Sequence, residues 1–168
     1  MVSEEEQPSL PARFVAAVGR SASWLTLAMV IFTFLIVLLR YGFNLGWIWL
    51  QESVTWMHAA VFMLAAAWTL QDDGHVRVDI FYRESSPQRK ALVNLVGIAL
   101  FLAPVCVFLI GVSWDYVAAS WRLGESSREA GGLQAIFLLK SLILALPAML
   151  LIQAACSARE YYRQLRDA

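Results

Sequence analysis

Four long apolar stretches constrain the fold of this chain more than any other feature of its sequence. They cover about residues 21–40, 54–70, 91–112 and 133–155. A helix needs about 20 mostly apolar residues to cross the hydrocarbon core of a bilayer, and each stretch is close to that length. An open strand in lipid would leave backbone N–H and C=O groups unpaired, so each stretch is expected to be helical. The sequence therefore predicts an all-α membrane protein with four transmembrane helices.

The composition agrees with a lipid environment and limits the possible partners. Hydrophobic residues make up 60% of the chain, and its 13 basic residues are balanced by 13 acidic ones. Without a net positive field the chain is not expected to bind nucleic acid. Cys106 and Cys156 lie in apolar runs without a CxxC or Cys/His pattern, so we interpret both as small packing residues. Membrane lipid is the expected surrounding.

The first residues differ from the rest of the chain. Residues 1–12 are acidic and contain two prolines, which predicts a disordered lead-in on the cytoplasmic side. The acidic start, and the absence of a small-residue cleavage site after the first apolar run, argue against a cleaved signal peptide. Residues 13–168 are then expected to form the four-helix membrane domain.

The distribution of Lys and Arg predicts the orientation of the helices. Nine flank the spans on the side of both termini, and three lie on the other side: Arg40, Arg122 and Arg128. Because positive flanks stay in the cytoplasm, both termini are predicted to be cytoplasmic. Tryptophans fall at both predicted interfaces, as in an aromatic belt: Trp24 and Trp68 on the cytoplasmic side, and Trp47, Trp49, Trp114 and Trp121 on the other.

The connections between the spans contain enough apolar residues to be structured. The segment 42–53 is expected to form a short interfacial helix, with a long tilted second helix as the alternative. Residues 114–123 are expected to form another interfacial helix that ends at Gly124. Pro104 and Pro147 lie inside spans and predict local bends.

No combination of residues predicts redox or hydrolytic chemistry. His58 and His75 fall at different depths, so they cannot ligate one haem iron. The spans contain no Ser/His/Asp group and no pair of carboxylates at membrane depth. We therefore expect no cofactor, no metal and no enzymatic activity.

Lys140 is the one charged residue well inside a predicted span, and three roles are open for it. Its stem is long enough to place the ammonium group at the interface. It could instead pair with an acidic residue of this chain or of a partner subunit. The third possibility is direct binding of a transported anion.

A dense polar motif follows the second span and reads Asp72-Asp73-Gly74-His75-Val76-Arg77-Val78-Asp79. Gly74 is expected to break the helix, after which apolar and charged residues alternate as in an extended segment. We interpret the motif as a structured cytoplasmic elbow whose polar face carries Arg77 and Asp79. A metal site built on His75 and the nearby aspartates is the weaker alternative.

Several motifs together resemble one protein family. They are Arg40-Tyr41, Phe43-Asn44, Trp49, Glu52, the run from Asp73 to Asp79, Gly124-Glu125-Ser126-Ser127, Gly131-Gly132 and Lys140. In order and spacing they resemble the small permease (Q, DctQ-like) subunits of tripartite ATP-independent periplasmic (TRAP) transporters. The resemblance covers about residues 35–155.

The resemblance implies a non-catalytic subunit of a transporter in the bacterial inner membrane. A large permease subunit would hold the sodium and substrate sites, and a periplasmic binding protein would deliver a small organic acid. The small subunit would be a scaffold for the large one. Its candidate motif or interface residues are Arg40, Asn44, Trp49, Glu52, Gly74, His75, Arg77, Asp79, Gly124 and Lys140. The alternative function is an autonomous, homo-oligomeric carrier or channel.

Overall fold

The computed structural model describes residues 9–76, 82 and 84–167. It contains four long helices: α1 (Leu10–Phe43), α2 (Ile48–Gln71), α3 (Pro87–Leu123) and α4 (Ile136–Arg166). Each is long and apolar enough to cross a membrane, and the described residues include no strand. The prediction of an all-α protein with four transmembrane helices is confirmed.

The helix ends follow from local chemistry. α1 ends at Asn44, which has a left-handed φ of 55°, and the N–H of Leu45 donates to the carbonyl of Leu39 at 2.9 Å. Asparagine tolerates this conformation better than most residues with a Cβ. α3 begins after Ser86, whose hydroxyl accepts a hydrogen bond from the N–H of Arg89, and Pro87 occupies the first turn.

The helices are longer than the apolar stretches, and the expected interfacial helices are parts of them. α2 begins at Ile48, so residues 48–53 form its first turns, as in the alternative of a long second helix. Residues 114–123 are the last turns of α3. A helix satisfies its own backbone when it leaves the hydrocarbon, so it continues until a residue such as Gly124 stops it. α1 likewise begins at Leu10, inside the segment expected to be a lead-in.

α4 is the central helix of the molecule. It packs against α1, α2 and α3, and α1 also packs along α2. Within the described residues α3 contacts no helix other than α4. The helices alternate in direction, so the molecule has two ends. We call the one with connections 44–47 and 124–135 the glutamate end, and the other the terminal end.

The core lies towards the terminal end. Val15 of α1, Ala67 of α2 and Met149 of α4 are buried together there. α1 crosses α2 closely, because a Cβ added to Gly19 would lie 2.5 Å from the Cβ of Trp68. Trp68, expected in an aromatic belt, is therefore a packing residue beside this core.

α3 contains a wider turn in its middle. Residues Ile98–Leu102 form a π-helical turn, in which the N–H of Ala103 donates to the carbonyl of Ile98, five residues earlier. Pro104 follows directly and has no N–H to offer the carbonyl of Leu100. Ala91 before the turn and Cys106 after it are both buried. The π turn therefore lies directly before Pro104, and the bends expected at Pro104 and Pro147 stay predictions.

Candidate functional site

The glutamate end is held together by a carboxylate of α2. The hydroxyl of Ser127 donates to Glu52 Oε1 at 2.5 Å, and the N–H of Leu133 donates to Glu52 Oε2 at 2.6 Å. Glu52 lies at the start of α2, and both donors lie in the connection between α3 and α4. We call this arrangement the Glu52 clamp. It ties the second helix to a connection that follows more than 70 residues later.

The clamped connection is also tied to itself. The N–H of Ser127 donates to the carbonyl of Leu133 at 2.9 Å, and that of Gly132 donates to the carbonyl of Glu129 at 3.0 Å. A Cβ on Gly132 would lie 2.7 Å from Glu52 Oε2 and 2.6 Å from the Cβ of Ser127. Position 132 therefore has room for glycine alone.

A second carboxylate joins α3 to α4. Glu125 Oε2 pairs with the ammonium of Lys140 and accepts a hydrogen bond from the hydroxyl of Ser120 at 2.7 Å. The ammonium also lies 4.0 Å from the centre of the Tyr116 ring, a cation–π contact. The hydrogen bond from Lys140, and then that from Ser120, lower the pKa of the Glu125 carboxyl. Three roles were open for Lys140, and in the structure it pairs with an acidic residue of this chain, Glu125.

An aromatic contact lies beside this ion pair. Trp121 Nε1 of α3 donates to the hydroxyl of Ser141 in α4 at 2.8 Å. The rings of Trp121 and Phe137 are 4.6 Å apart between their centres. Trp121 is still half exposed, so it joins the two helices and also presents a surface.

The structure brings some of the predicted residues together at this end and leaves others apart. Glu52, Gly124 and Lys140 all belong to the contacts described above. Glu52 and Lys140 make them directly. Gly124 contributes because it ends α3 with a φ of 56° and so turns Glu125 back towards the helix. Arg40 and Trp49 are exposed and outside it. Asn44 has a different role, because it caps the C-terminus of α1.

The motif at the terminal end is only partly described. α2 ends at Gln71, three residues before the break expected at Gly74, and the left-handed residue after it is Asp73, with a φ of 54°. Gly74 is instead close to α2, since its N–H donates to the carbonyl of Thr69 at 2.9 Å and a Cβ would lie 3.1 Å from Thr69 Cγ2. His75 is exposed. Arg77 and Asp79 lie outside the described residues.

Sequence reasoning missed the partners of Glu52 and Glu125. Ser127 and Gly132 are ordinary residues of a polar connection and Ser120 is an ordinary residue of α3, and no periodicity reveals that they meet these carboxylates. The Gly131-Gly132 pair was the one available signal, because two adjacent glycines indicate a backbone with little space.

The two carboxylates of the glutamate end hold the helices and the connection between α3 and α4 together. The described contacts of both carboxylates are made to groups of the same chain. Among the described residues no group of three His, Cys, Asp or Glu side chains could hold a metal ion, and both cysteines are free.

Comparison with known proteins gives one family. The model of the DctQ component of tripartite ATP-independent periplasmic transporters matches residues 29–167. A similar curated protein is the C4-dicarboxylate TRAP transporter small permease protein DctQ of Vibrio cholerae serotype O1, with 33% identity over 89 residues. That alignment covers 53% of this chain and 38% of the relative, so the chain matches less than half of the relative's length. No solved structure matches.

Proposed function

The chain belongs to the DctQ component family of TRAP transporters and is a multi-pass protein of the inner membrane, and from this premise we propose that it is the stationary scaffold of its transporter. In this proposal it holds a large permease subunit in the bilayer. The large subunit carries out sodium-coupled uptake of a small organic acid that a periplasmic binding protein delivers. The name of the Vibrio relative favours a C4-dicarboxylate as that acid.

The observation that carries the proposal is the open packing of the four helices. Among the residues that the structure describes, α3 packs against α4 and against no other helix, so these helices do not surround a common interior. In the most apolar windows of α1, α2 and α3, 6% of the residues are buried. Such a molecule presents most of its apolar surface to lipid or to another membrane protein, which is what a scaffold requires.

The fastened glutamate end supports the same role. Two carboxylates hold the start of α2, the end of α3 and the start of α4 in fixed positions. In the proposed orientation this end faces the periplasm, because the side with more Lys and Arg is cytoplasmic. Exposed Trp49 and Trp121 are then candidates for contact with the binding protein.

Uptake by purified components in liposomes tests the proposal. We expect sodium-dependent uptake of a labelled C4-dicarboxylate when this chain, the large subunit and the binding protein are all present. We expect none from this chain alone, because the proposal assigns the transport site to the large subunit. Uptake by this chain alone would establish the autonomous carrier instead, and undiminished uptake without this chain would remove the scaffold role.

A further inference from the structure

α2 carries a line of polar side chains on an exposed face. Gln51, Thr55 and His58 are spaced by four and three residues, which places them on one side of a helix. All three are exposed, and the next residue on this face, Phe62, is also exposed. We call Gln51, Thr55 and His58 the polar stripe.

The polar stripe enters the hydrocarbon core of the membrane. With a rise of about 1.5 Å per residue, Thr55 lies about 10 Å and His58 about 15 Å along α2 from Ile48. α2 is about 36 Å long and the hydrocarbon core is about 30 Å thick, so His58 lies inside the hydrocarbon even when the first turn of α2 extends beyond it. Acyl chains cannot hydrogen-bond, and an exposed imidazole at this depth is therefore costly.

The chain itself does not satisfy the polar stripe. Among the described residues none of its three side chains has a hydrogen bond or an ion pair. Other hydroxyls in these helices solve the same problem locally: Ser53, Thr69 and Ser141 donate to the carbonyl four residues earlier. Thr55 does not, and the ring of a histidine has no equivalent local bond.

We propose that a transmembrane helix of the large permease subunit covers the polar stripe and hydrogen-bonds with Thr55 and His58. This inference rests on the proposed scaffold function and adds the surface through which it acts. α1 and α4 pack on other sides of α2 and leave this face open. The occupant has to be inside the bilayer, because His58 lies within the hydrocarbon core, and this excludes a soluble binding protein. It also has to offer polar side chains, which excludes lipid.

Site-specific photo-crosslinking tests the contact. A photoreactive amino acid is placed at position 55 or 58, and at position 112 as a control, in the chain co-expressed with its large subunit. Val112 is 57% exposed and lies about 17 Å from the end of α3 at the same side of the membrane, so it matches the depth of His58. We expect crosslinks to the large subunit from positions 55 and 58 that are at least about tenfold more abundant than from position 112.

A double substitution measures the strength of the contact. Thr55→Val with His58→Leu removes the polar groups and favours insertion of α2 into lipid, so the chain itself should be produced normally. We expect co-purification of the large subunit to fall about tenfold, because its polar groups lose their partners. Val112→Leu should leave co-purification unchanged.

The outcomes separate the inference from the proposed function. If the unmodified chain does not co-purify with the large subunit, both fail. If it does, but positions 55 and 58 crosslink only to lipid or to a second copy of this chain, the inference is overturned and the scaffold function stands. Unchanged co-purification of the double variant overturns it in the same way.

Discussion

Two glutamates at the same end of the molecule fasten different elements. Glu52 bonds a hydroxyl and a backbone N–H of the connection between α3 and α4. Glu125 bonds the ammonium of Lys140 in α4 and the hydroxyl of Ser120 in α3. Ionised carboxylates make stronger hydrogen bonds than neutral acceptors do. Each glutamate therefore has a separable effect on the local stability of this end.

Replacing Glu52 with Gln should loosen the clamped connection. Glutamine keeps one acceptor oxygen and replaces the other with a donor, so Ser127 and Leu133 can no longer both donate to it. We expect the N–H of Leu133 to exchange with deuterium roughly five to ten times faster. Glu129→Gln is the matched control, because Glu129 lies in the same connection and its carboxylate makes no hydrogen bond or ion pair with the described residues. Equal exchange in both variants would contradict the Glu52 clamp.

The ion pair of Glu125 predicts a dependence on pH. Its pKa is lowered in the folded chain, first by Lys140 and then by Ser120, so the pair contributes its full stability above the ordinary glutamate pKa of about 4.3. That contribution is lost as the pH falls through the lower, folded-state pKa. Thermal unfolding is measured between pH 7 and pH 3. The unmodified chain should have a higher unfolding midpoint than Glu125→Gln at neutral pH, and this difference in midpoint should disappear in acid. A gap independent of pH would exclude the ion pair as its cause.

The sequence predicted single residues of this end but not their pairing. Lys140 was recognisable because a charge inside an apolar stretch needs an explanation, and Gly124 because it follows a helical run. The acidic partner of Lys140 remained open, since Glu52, Glu125 and Glu129 are all near the same interface. Only the path of the connection decides which carboxylate meets which donor.

At the scale of the helices, the closest approach is the crossing of α1 and α2. Gly19→Ala would place a Cβ 2.5 Å from the Cβ of Trp68 and force the two helices apart. We expect the free energy of unfolding to fall by about 1–3 kcal/mol, as for other overpacked sites. Gly111→Ala in α3 is the control, because, apart from the adjacent backbone of α3, no atom of the described residues lies within 4 Å of its added Cβ. Unfolding midpoints in detergent compare the two, and an equal midpoint would mean that the crossing can adjust.

The sequence located the helices well and their ends poorly. Apolar length identifies the part of a helix that lies in hydrocarbon, and all four spans were found in this way. It does not identify turns beyond the hydrocarbon, where polar and aromatic side chains are equally compatible with a helix. This is why α2 begins at Ile48 and α3 continues to Leu123, where separate interfacial helices were expected.

For the whole molecule, the orientation in the membrane stays a prediction from the distribution of Lys and Arg. A green fluorescent protein fused after the last residue should fluoresce, because it folds in the cytoplasm. Alkaline phosphatase fused after Leu45 or Glu129 should be active in the periplasm, and inactive when fused after Gly74. The opposite pattern would reverse the orientation and place the glutamate end in the cytoplasm.

The packing order of the helices was not accessible from the sequence. The spans are apolar on most sides, so hydropathy separates lipid from water but does not tell a lipid-facing side from a helix-facing one. In α4 the buried residues are Pro147, Met149, Gln153 and Ala154, and hydropathy does not mark these positions as the side that packs against other helices. The position of each helix therefore depends on how the side chains pack, which hydropathy does not describe.

The π turn of α3 changes which side of the helix faces α4. One additional residue rotates everything before it by about 100° relative to a regular helix. With that rotation, Ala91 on one side of the turn and Val117 on the other are both buried, in a helix whose one helical neighbour within the described part of the chain is α4. If residues 98–102 formed a regular α-helical turn, the side of α3 that packs against α4 before the turn would no longer line up with the side that packs after it. One half of α3 would then turn this side towards the acyl chains. A five-residue irregularity thus keeps an outlying helix attached across the full thickness of the membrane.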